Sequence, residues 1–366
     1  MRILISMLHV VNHGGAAMVM LEFAEQFRNE GHQVDMCTWW SGSPMHDSFL
    51  ECGVRRLENM QRVNPFDYDI VFFLHQNAPL HFPVIKRGSR EKTLILFFRL
   101  SHSSNIGVPA AIIDELIMDK TLVNSEEVRR RMVNEFGLPT NKIEVFNNAS
   151  PATYERSAQQ QRPDLSRVVY VSNHQTPEVI AALKIFQKKY GVKTLHIGEG
   201  GDKQIRVTPG IIQSTDVVIT MAKTAQYALL SKKPLYIYDY HWGGPGYLSA
   251  ENLQDASNHN FSGSYKPHKK TAKQIAKEIV ESYRAAWVFS TSMKSSFLDP
   301  YRLEKTLQRI YQLYEQAELN DKKLERLHKN HYLVKRERCY AEQFYTQYRK
   351  NRAAGNKLSA IRKVLG

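Results

Sequence analysis

The chain has 366 residues, a length typical of two domains, and its 42% hydrophobic content can supply a sizeable core. No apolar run approaches the roughly 20 residues needed to span a bilayer, and residues 3–6, directly after Met1 and Arg2, predict a first strand rather than a secretory segment. Three cysteines without metal-ligand spacing, Cys37, Cys52 and Cys339, argue against a disulfide framework or a zinc site and indicate a reducing compartment. The formal net charge of +14 favours anionic partners such as nucleic acid, anionic lipid or phosphorylated substrates.

Much of the basic excess lies late in the chain, at residues 322–363, where aromatic residues stand between the Lys and Arg residues. These aromatics are Tyr332, Tyr340, Phe344, Tyr345 and Tyr348. Their helical spacing favours packing, which argues against a nucleic-acid partner. The region is therefore either a solvated basic helix or a surface for peripheral attachment to an anionic membrane.

The first half of the chain alternates between apolar strand-like runs and segments of helical spacing. The predicted strands are residues 3–8, 33–38, 68–74, 94–100, 120–124 and 143–146, and the clearest helices are residues 16–28 and 126–136. Strands separated by helices predict βαβ units and a parallel sheet.

The alternation restarts after a stretch rich in Gln, Pro, Ser and Arg. Strands are predicted at residues 168–171, 194–197, 217–221 and 235–238, helices at 177–190 and 224–231, and mostly helix after 271. The predicted organisation is a first domain at 1–150, a linker at 151–166, a second domain at 167–290 and a helical basic region at 291–366. Two α/β halves of similar size predict two Rossmann-like domains that face each other across a cleft.

Residues 223–247 form the most informative segment, with the sequence KTAQYALLSKKPLYIYDYHWGGPGY. A predicted helix leads into a buried strand that ends at Tyr238, Asp239 follows it, and a turn containing Gly244 and Gly246 is predicted next. Ligands of α/β proteins bind at the carboxyl ends of strands, and glycines there allow close approach. Lys223 can meet a diphosphate and Thr224 is a candidate N-cap, although both residues also fit a purely structural role.

Further candidates follow other predicted strands. Gly14 and Gly15 precede the first helix, where backbone N–H groups attract anions, although an ordinary βα turn has the same pattern. Arg99 and His102 follow the fourth strand, and His102 is either a base or a surface histidine. In the second half of the chain, the predicted strand 168–171 is followed by the polar residues Ser172, Asn173 and His174, and the strand 194–197 is followed by Gly198.

No signature of a zinc hydrolase, P-loop NTPase or serine esterase is present, and no DxD-like metal chelate is found. We therefore expect no metal site and no cofactor.

Several of these segments resemble the GT-B fold glycosyltransferases, in the broad superfamily that includes glycosyltransferase family four. The resemblance lies in the Gly14-Gly15-Ala16 turn, the helix ending in Glu30-Gly31-His32, and the passage from Leu122 through Phe136-Gly137 to Val145. Residues 224–234 are similar to the family's donor motif, with Tyr227 at the place of the acidic residue that holds the donor ribose and Gln226 beside it. The ending in Tyr-Asp and Gly-Gly-Pro-Gly resembles bacterial surface-polysaccharide transferases.

The resemblance implies two Rossmann-like domains with a helical C-terminal extension and transfer of a sugar from a nucleotide-activated donor to a glycan or lipid-linked acceptor. The donor would contact the second domain and the acceptor would lie near Gly15 and His102. Retention of configuration is favoured, and His102 would be the base if inversion occurs. The expected place is the cytoplasm, with peripheral attachment to the inner face of the membrane. The unusual donor motif leaves a non-catalytic sugar- or nucleotide-binding protein of the same fold as the alternative.

Overall fold

The computed structural model describes residues 1–83, 85–101, 112–155 and 164–365, with residues 352–365 described by their backbone. Two open β-sheets dominate it, each lying between two hydrophobic clusters. A sheet covered on both faces needs strands that are apolar on both sides. The alternating strand and helix pattern of the sequence produces this arrangement.

The first sheet has seven parallel strands in the order β3-β2-β1-β4-β5-β6-β7. They are β1 (Arg2–Val10), β2 (Gln33–Ser41), β3 (Arg55–Leu57), β4 (Ile70–Leu74), β5 (Leu94–Arg99), β6 (Lys120–Val123) and β7 (Ile143–Val145). The helices among them are α1 (Gly15–Asn29), α2 (Met45–Glu51), α3 (Ile113–Ile117) and α4 (Glu126–Asn134). The central strands β4 and β5 are buried throughout, as their continuous apolar runs predict.

The second sheet has five strands in the order β12-β11-β10-β8-β9. They are β8 (Arg167–Val171), β9 (Lys193–Ile197), β10 (Val217–Thr220), β11 (Leu235–Asp239) and β12 (Gly243–Tyr247). Four strands are parallel, and only β12 runs antiparallel, at the edge. The accompanying helices are α5 (Pro177–Tyr190), α6 (Pro209–Gln213), α7 (Lys223–Leu230), α8 (Leu253–Asn258), α9 (Ala272–Ser292) and α10 (Ser295–Leu298).

The chain then returns to the first domain through α11 (Leu303–Glu315), α12 (Asn320–Lys329) and α13 (His331–Leu365). Leu307 and Ile310 of α11 pack in the cluster that contains α1, and Leu327 of α12 packs in the cluster on the other face of the first sheet. Leu298 of α10 still packs in a cluster of the second domain. The helical region predicted at 291–366 thus divides between the two domains.

Two local predictions are wrong. The turn expected around Gly244 and Gly246 is the edge strand β12, because this segment pairs antiparallel with β11. Both glycines also lie against other parts of the protein. A Cβ at Gly244 would lie 2.4 Å from the carbonyl oxygen of Ile237, and one at Gly246 would lie 2.0 Å from Glu278 Oε1. Thr224 is not an N-cap, since α7 begins at Lys223.

Among the described helices, none is long and apolar enough to cross a bilayer.

Candidate functional site

The candidate site lies in the cleft between the domains, where the carboxyl ends of β8, β9 and β10 face the start of α1. A cavity of about 240 Å³, here called the cleft cavity, is lined by both domains. Of the predicted site residues it brings together Gly15, Ser172, Asn173, His174, Gly198, Lys223, Thr224 and Tyr227. This is the layer in which open α/β sheets bind ligands.

Backbone geometry at the ends of β8 and β9 is tightly specified. Gly198 has φ +139°, and a Cβ there would lie 1.9 Å from the carbonyl oxygen of Ser172, so only glycine fits. The Ser172 hydroxyl donates to the His174 carbonyl oxygen at 2.9 Å, and Asn173 Oδ1 accepts from the Glu199 N–H at 3.2 Å. These contacts hold a polar rim at two neighbouring strand ends.

Two helix starts meet at the cleft cavity. Helix α1 begins at Gly15 and helix α7 at Lys223, and a Cβ on Gly15 would lie 3.8 Å from Lys223 Cβ. The residue before α7, Ala222, has φ +52° and ψ −131°, a conformation that costs free energy for any residue with a Cβ. The unpaired N–H groups of a helix start favour anions, so two such starts favour a phosphorylated ligand.

Lys223 is buried and already fully engaged. Its Nζ lies 2.6 Å from Glu22 Oε2 on α1, and it donates to the carbonyl oxygens of Asn148 at 3.0 Å and Ala149 at 2.7 Å and to the Ser150 hydroxyl at 3.0 Å. Burial lowers the pKa of Lys223 and raises the pKa of Glu22, while the charge of each group opposes the shift of the other. Lys223 therefore joins the two domains rather than presenting a free ammonium to the cavity.

Tyr227 stands where the resemblance places an acidic donor ligand. Its ring stacks on Tyr154 with centroids 4.0 Å apart and planes 5° apart, and its hydroxyl donates to Glu22. Burial, followed by the Glu22 charge, raises the pKa of Tyr227, so the hydroxyl stays protonated. Tyr227 thus forms part of the cavity wall while its polar end is bound by the other domain.

His13, which the sequence patterns did not single out, lines the cleft cavity beside Asn12. His13 Nε2 lies 3.5 Å from Ser48 Oγ, and its Nδ1 is buried without a hydrogen-bond partner among the described residues. Partial burial and the charge of Arg206 lower the pKa of His13 below 6.5. Its position directly before Gly14 and Gly15 is the signal that could have identified it.

A second cavity of about 170 Å³, the sheet-edge cavity, opens at the carboxyl edge of the first sheet. His75, Ser101 and Asn124 line it, and it shares Gly15 and Lys223 with the cleft cavity. Burial, then His9 and Arg99, lower the pKa of His75 to about 3, so this ring is neutral. The two cavities therefore meet at the junction of α1 and α7.

Arg99 lies outside the lining of both cavities. Its side chain is 1% exposed, forms an ion pair with Asp114, and donates to the His75 carbonyl oxygen at 3.3 Å. Burial lowers the pKa of Arg99, and Asp114 opposes this shift. Arg99 is thus placed to support the His75 backbone. His102, the predicted base, lies outside the described residues.

The other predicted residues contact the protein itself. Asp239 accepts from the His241 N–H at 2.7 Å, the Gln226 amide contacts Asn260 Oδ1 at 3.2 Å, and the Gly14 N–H donates to Asn12 at 2.7 Å. These three residues, together with Gly244 and Gly246, do not line the two cavities formed by the described residues. Within the same part of the chain, no group of three His, Cys, Asp or Glu residues is close enough to hold a metal ion.

No protein-family model and no curated protein matches the chain. Several solved structures match the chain. UGT89C1 of Arabidopsis thaliana, determined with quercetin, has 12% sequence identity and a TM-score of 0.50, and the match covers 86% of this chain and 98% of that one.

A glycosyltransferase of Rickettsia africae has 13% identity and a TM-score of 0.46, with coverage of 86% and 98%. The UDP-GlcNAc 2-epimerase of Neisseria meningitidis, bound to UDP-GlcNAc, has 10% identity and a TM-score of 0.47, with coverage of 87% and 100%. The predicted fold class is confirmed: the chain has the GT-B fold, with two Rossmann-like domains and a helical C-terminal extension.

Proposed function

We propose that the protein is a glycosyltransferase that moves a sugar from a nucleotide-activated donor to a glycan or lipid-linked acceptor. The observation that carries the proposal is the cleft cavity, in which three strand ends of the second domain and two helix starts converge. A nucleoside diphosphate needs donors for its phosphates and a polar rim for its ribose, and the two helix starts and the residues at the strand ends support such an assignment.

The donor diphosphate would lie at the starts of α1 and α7, near Gly15 and Thr224. Lys223 is engaged by Glu22, so backbone N–H groups and neutral side chains would stabilise the leaving diphosphate. Ser172 and Asn173 would bind the nucleoside end. We expect this arrangement to work without a bound metal ion.

The acceptor would enter through the sheet-edge cavity, which meets the cleft cavity at Gly15. The acceptor hydroxyl oxygen bonds to the anomeric carbon, the bond from that carbon to the phosphate oxygen breaks, and its electron pair leaves with the nucleoside diphosphate. In an inverting transfer the hydroxyl proton would pass to His13, which lines the cleft cavity two residues before Gly15, where the two cavities meet. Closure of the domains would exclude water from this step.

A lipid-linked acceptor requires access to a membrane, and helix α13 offers a suitable surface. Tyr332, Tyr340 and Phe344 are 63%, 64% and 48% exposed, with Lys335 and Arg336 beside them. Exposed aromatic rings among basic residues suit the interface of an anionic bilayer. We therefore propose peripheral attachment at the cytoplasmic face of a membrane, in synthesis of a bacterial surface polysaccharide or lipopolysaccharide.

A second candidate is a non-catalytic protein that binds a nucleotide sugar or a partner transferase. The observation in its favour is that Glu22 engages both Lys223 and Tyr227, the two donor-side residues that would otherwise face the ligand.

The deciding experiment is a thermal-shift screen of nucleotide sugars followed by a donor-turnover assay. A ligand at 100 times its Kd stabilises the native state by about 2.7 kcal/mol, which raises Tm. A Tm rise with one nucleotide class, together with release of the nucleoside diphosphate, supports the transferase. A Tm rise without turnover supports the binding protein, and no response to any nucleotide sugar contradicts the transferase and leaves only the partner-binding form of the alternative.

A further inference from the structure

A groove remote from the cleft runs between α5 and α9 on the second domain, and its rims are lined by lysine. It has a volume of about 660 Å³. Lys184, Lys188 and Lys189 line it from α5, and Lys273 and Lys277 line it from α9. We call this feature the lysine groove.

The floor of the lysine groove is apolar. Ile185, Tyr190 and Ala276 lie along it, at the surface of the cluster in which α5 and α9 pack together. Ala276 is almost fully buried, whereas Ile185 and Tyr190 keep part of their apolar surface exposed. The groove therefore combines a hydrophobic base with charged edges.

The charges of the groove are poorly balanced. Glu281 is the single carboxylate in its lining, and it lies 3.9 Å from Lys277 Nζ. Lys189 Nζ lies 5.0 Å from the centroid of the Tyr190 ring, and no ion pair is found for Lys184, Lys188 or Lys273 among the described residues. Five ammonium groups against one carboxylate attract an anionic partner.

The spacing of the lysines indicates the shape of that partner. Lys184 and Lys188 are four residues apart on α5, as are Lys273 and Lys277 on α9, so each pair stands about 6 Å apart along its helix. Carboxylates at positions i and i+4 of a third helix have the same spacing. Such a helix would lay an apolar stripe on the groove floor and direct its Glu or Asp residues to both rims.

Other occupants fit less well. A flat bilayer would touch the lysine rims without reaching the recessed floor. A hydrophilic polyanion would pair with the lysines but leave the apolar floor without an apolar partner. We propose that the lysine groove docks an acidic amphipathic helix of a partner protein.

The test uses the full-length protein and two synthetic peptides of about 18 residues, roughly 27 Å as a helix, which is longer than the groove-lining part of α5. Both peptides carry the same leucine stripe, flanked by Glu in one peptide and by Lys in the other. Fluorescence anisotropy gives the Kd of each. We expect the Glu peptide to bind, the Lys peptide not to bind, and the Kd to rise with salt.

Charge reversal locates the binding. The double variant Lys188→Glu/Lys277→Glu should weaken binding of the Glu peptide by about tenfold or more, since each partner charge then meets a like charge. The matched control is Lys305→Glu/Lys322→Glu, which makes the same change of charge at exposed lysines of α11 and α12. Thermal melts of both variants check that they are folded.

Three outcomes would overturn the proposal. One is failure of the Glu peptide to bind, and another is equal loss of binding in the two double variants. The third is the finding that the groove lysines are instead required for sedimentation with phosphatidylglycerol vesicles, for binding dextran sulfate, or for concentration-dependent self-association.

Discussion

His13 is the histidine best placed to accept a proton in the cleft cavity. Its pKa is lowered by partial burial and by Arg206, so the ring is neutral at pH 7. We expect kcat/KM to be constant near neutral pH and to fall as the pH drops through this lowered pKa. His13→Gln should reduce kcat by about 10²- to 10⁴-fold with little change in donor affinity, as measured by steady-state kinetics and a nucleotide titration.

The charge of Arg206 gives a second test of this role for His13. Removing the Arg206 cation in Arg206→Gln should raise the pKa of His13 and move the acid limb of the profile to higher pH, whereas Arg206→Lys should not. His328→Ala, at an exposed histidine of α12, serves as the control. A pH profile of His13→Gln identical to that of the wild type would show that His13 is not the base.

For single residues, the sequence patterns predicted where a side chain lies in the fold better than they predicted what it binds. Ser172 and Gly198 were expected at strand ends and line the cleft cavity, because strand ends follow from local hydrophobic runs. Lys223 was expected at a diphosphate, but it binds Glu22, some 200 residues earlier in the chain. Such a pairing depends on how the two domains pack, which local patterns do not contain.

The aromatic residues of helix α13 likewise show that local sequence patterns do not predict tertiary contacts. Its aromatics were predicted to be packed, and Tyr345 is indeed buried, whereas Tyr332 and Tyr340 are mostly exposed. Helical periodicity alone did not distinguish the buried face of α13 from its exposed face, because basic and aromatic residues alternate around the whole helix. Only the position of α13 on the first domain separates them.

The exposed rings of α13 lead to a prediction about membrane binding. Tyr340→Ser/Phe344→Ser should weaken binding to phosphatidylglycerol vesicles by about tenfold per ring, equivalent to roughly 1.4 kcal/mol each, since less apolar area then leaves water. Co-sedimentation measures this binding. Leu50→Ser removes another exposed apolar side chain of the first domain and should have no effect. Unchanged sedimentation of the double variant would contradict a role of α13 in membrane binding.

For the whole molecule, the buried Glu22–Lys223 pair is a principal tie between the domains. Glu25 and Arg206 form a second tie, with a bidentate contact at 2.5 and 2.7 Å. The fold class of both domains followed from their strand and helix order. The two ion pairs between the domains could not be predicted in this way. Glu22 and Glu25 lie on α1, and the pattern of that helix predicts only which of its faces is buried.

The first tie is testable by unfolding in urea. Lys223→Met leaves the Glu22 carboxylate buried and unpaired, and should lower the free energy of unfolding by about 3–5 kcal/mol. The loss should be smaller at low pH, because the pKa of Glu22 is raised by burial and the carboxylate is neutralised as the pH falls. Glu22→Gln/Lys223→Met should recover part of the stability. Equal stabilities of the single and double variants would contradict this account.

The return of the chain to the first domain has a mechanical consequence. The chain passes between domains before β8 and again before α11, and the two passages are joined where the Ser150 N–H donates to Tyr301 at 2.8 Å and the Leu303 N–H donates to Ser150 at 3.0 Å. Because the two crossings are bonded side by side, we expect them to move together and to serve as a single hinge if the domains close. Lys223 also donates to the Ser150 hydroxyl, so a change of the angle between the domains would be felt at the junction of α1 and α7.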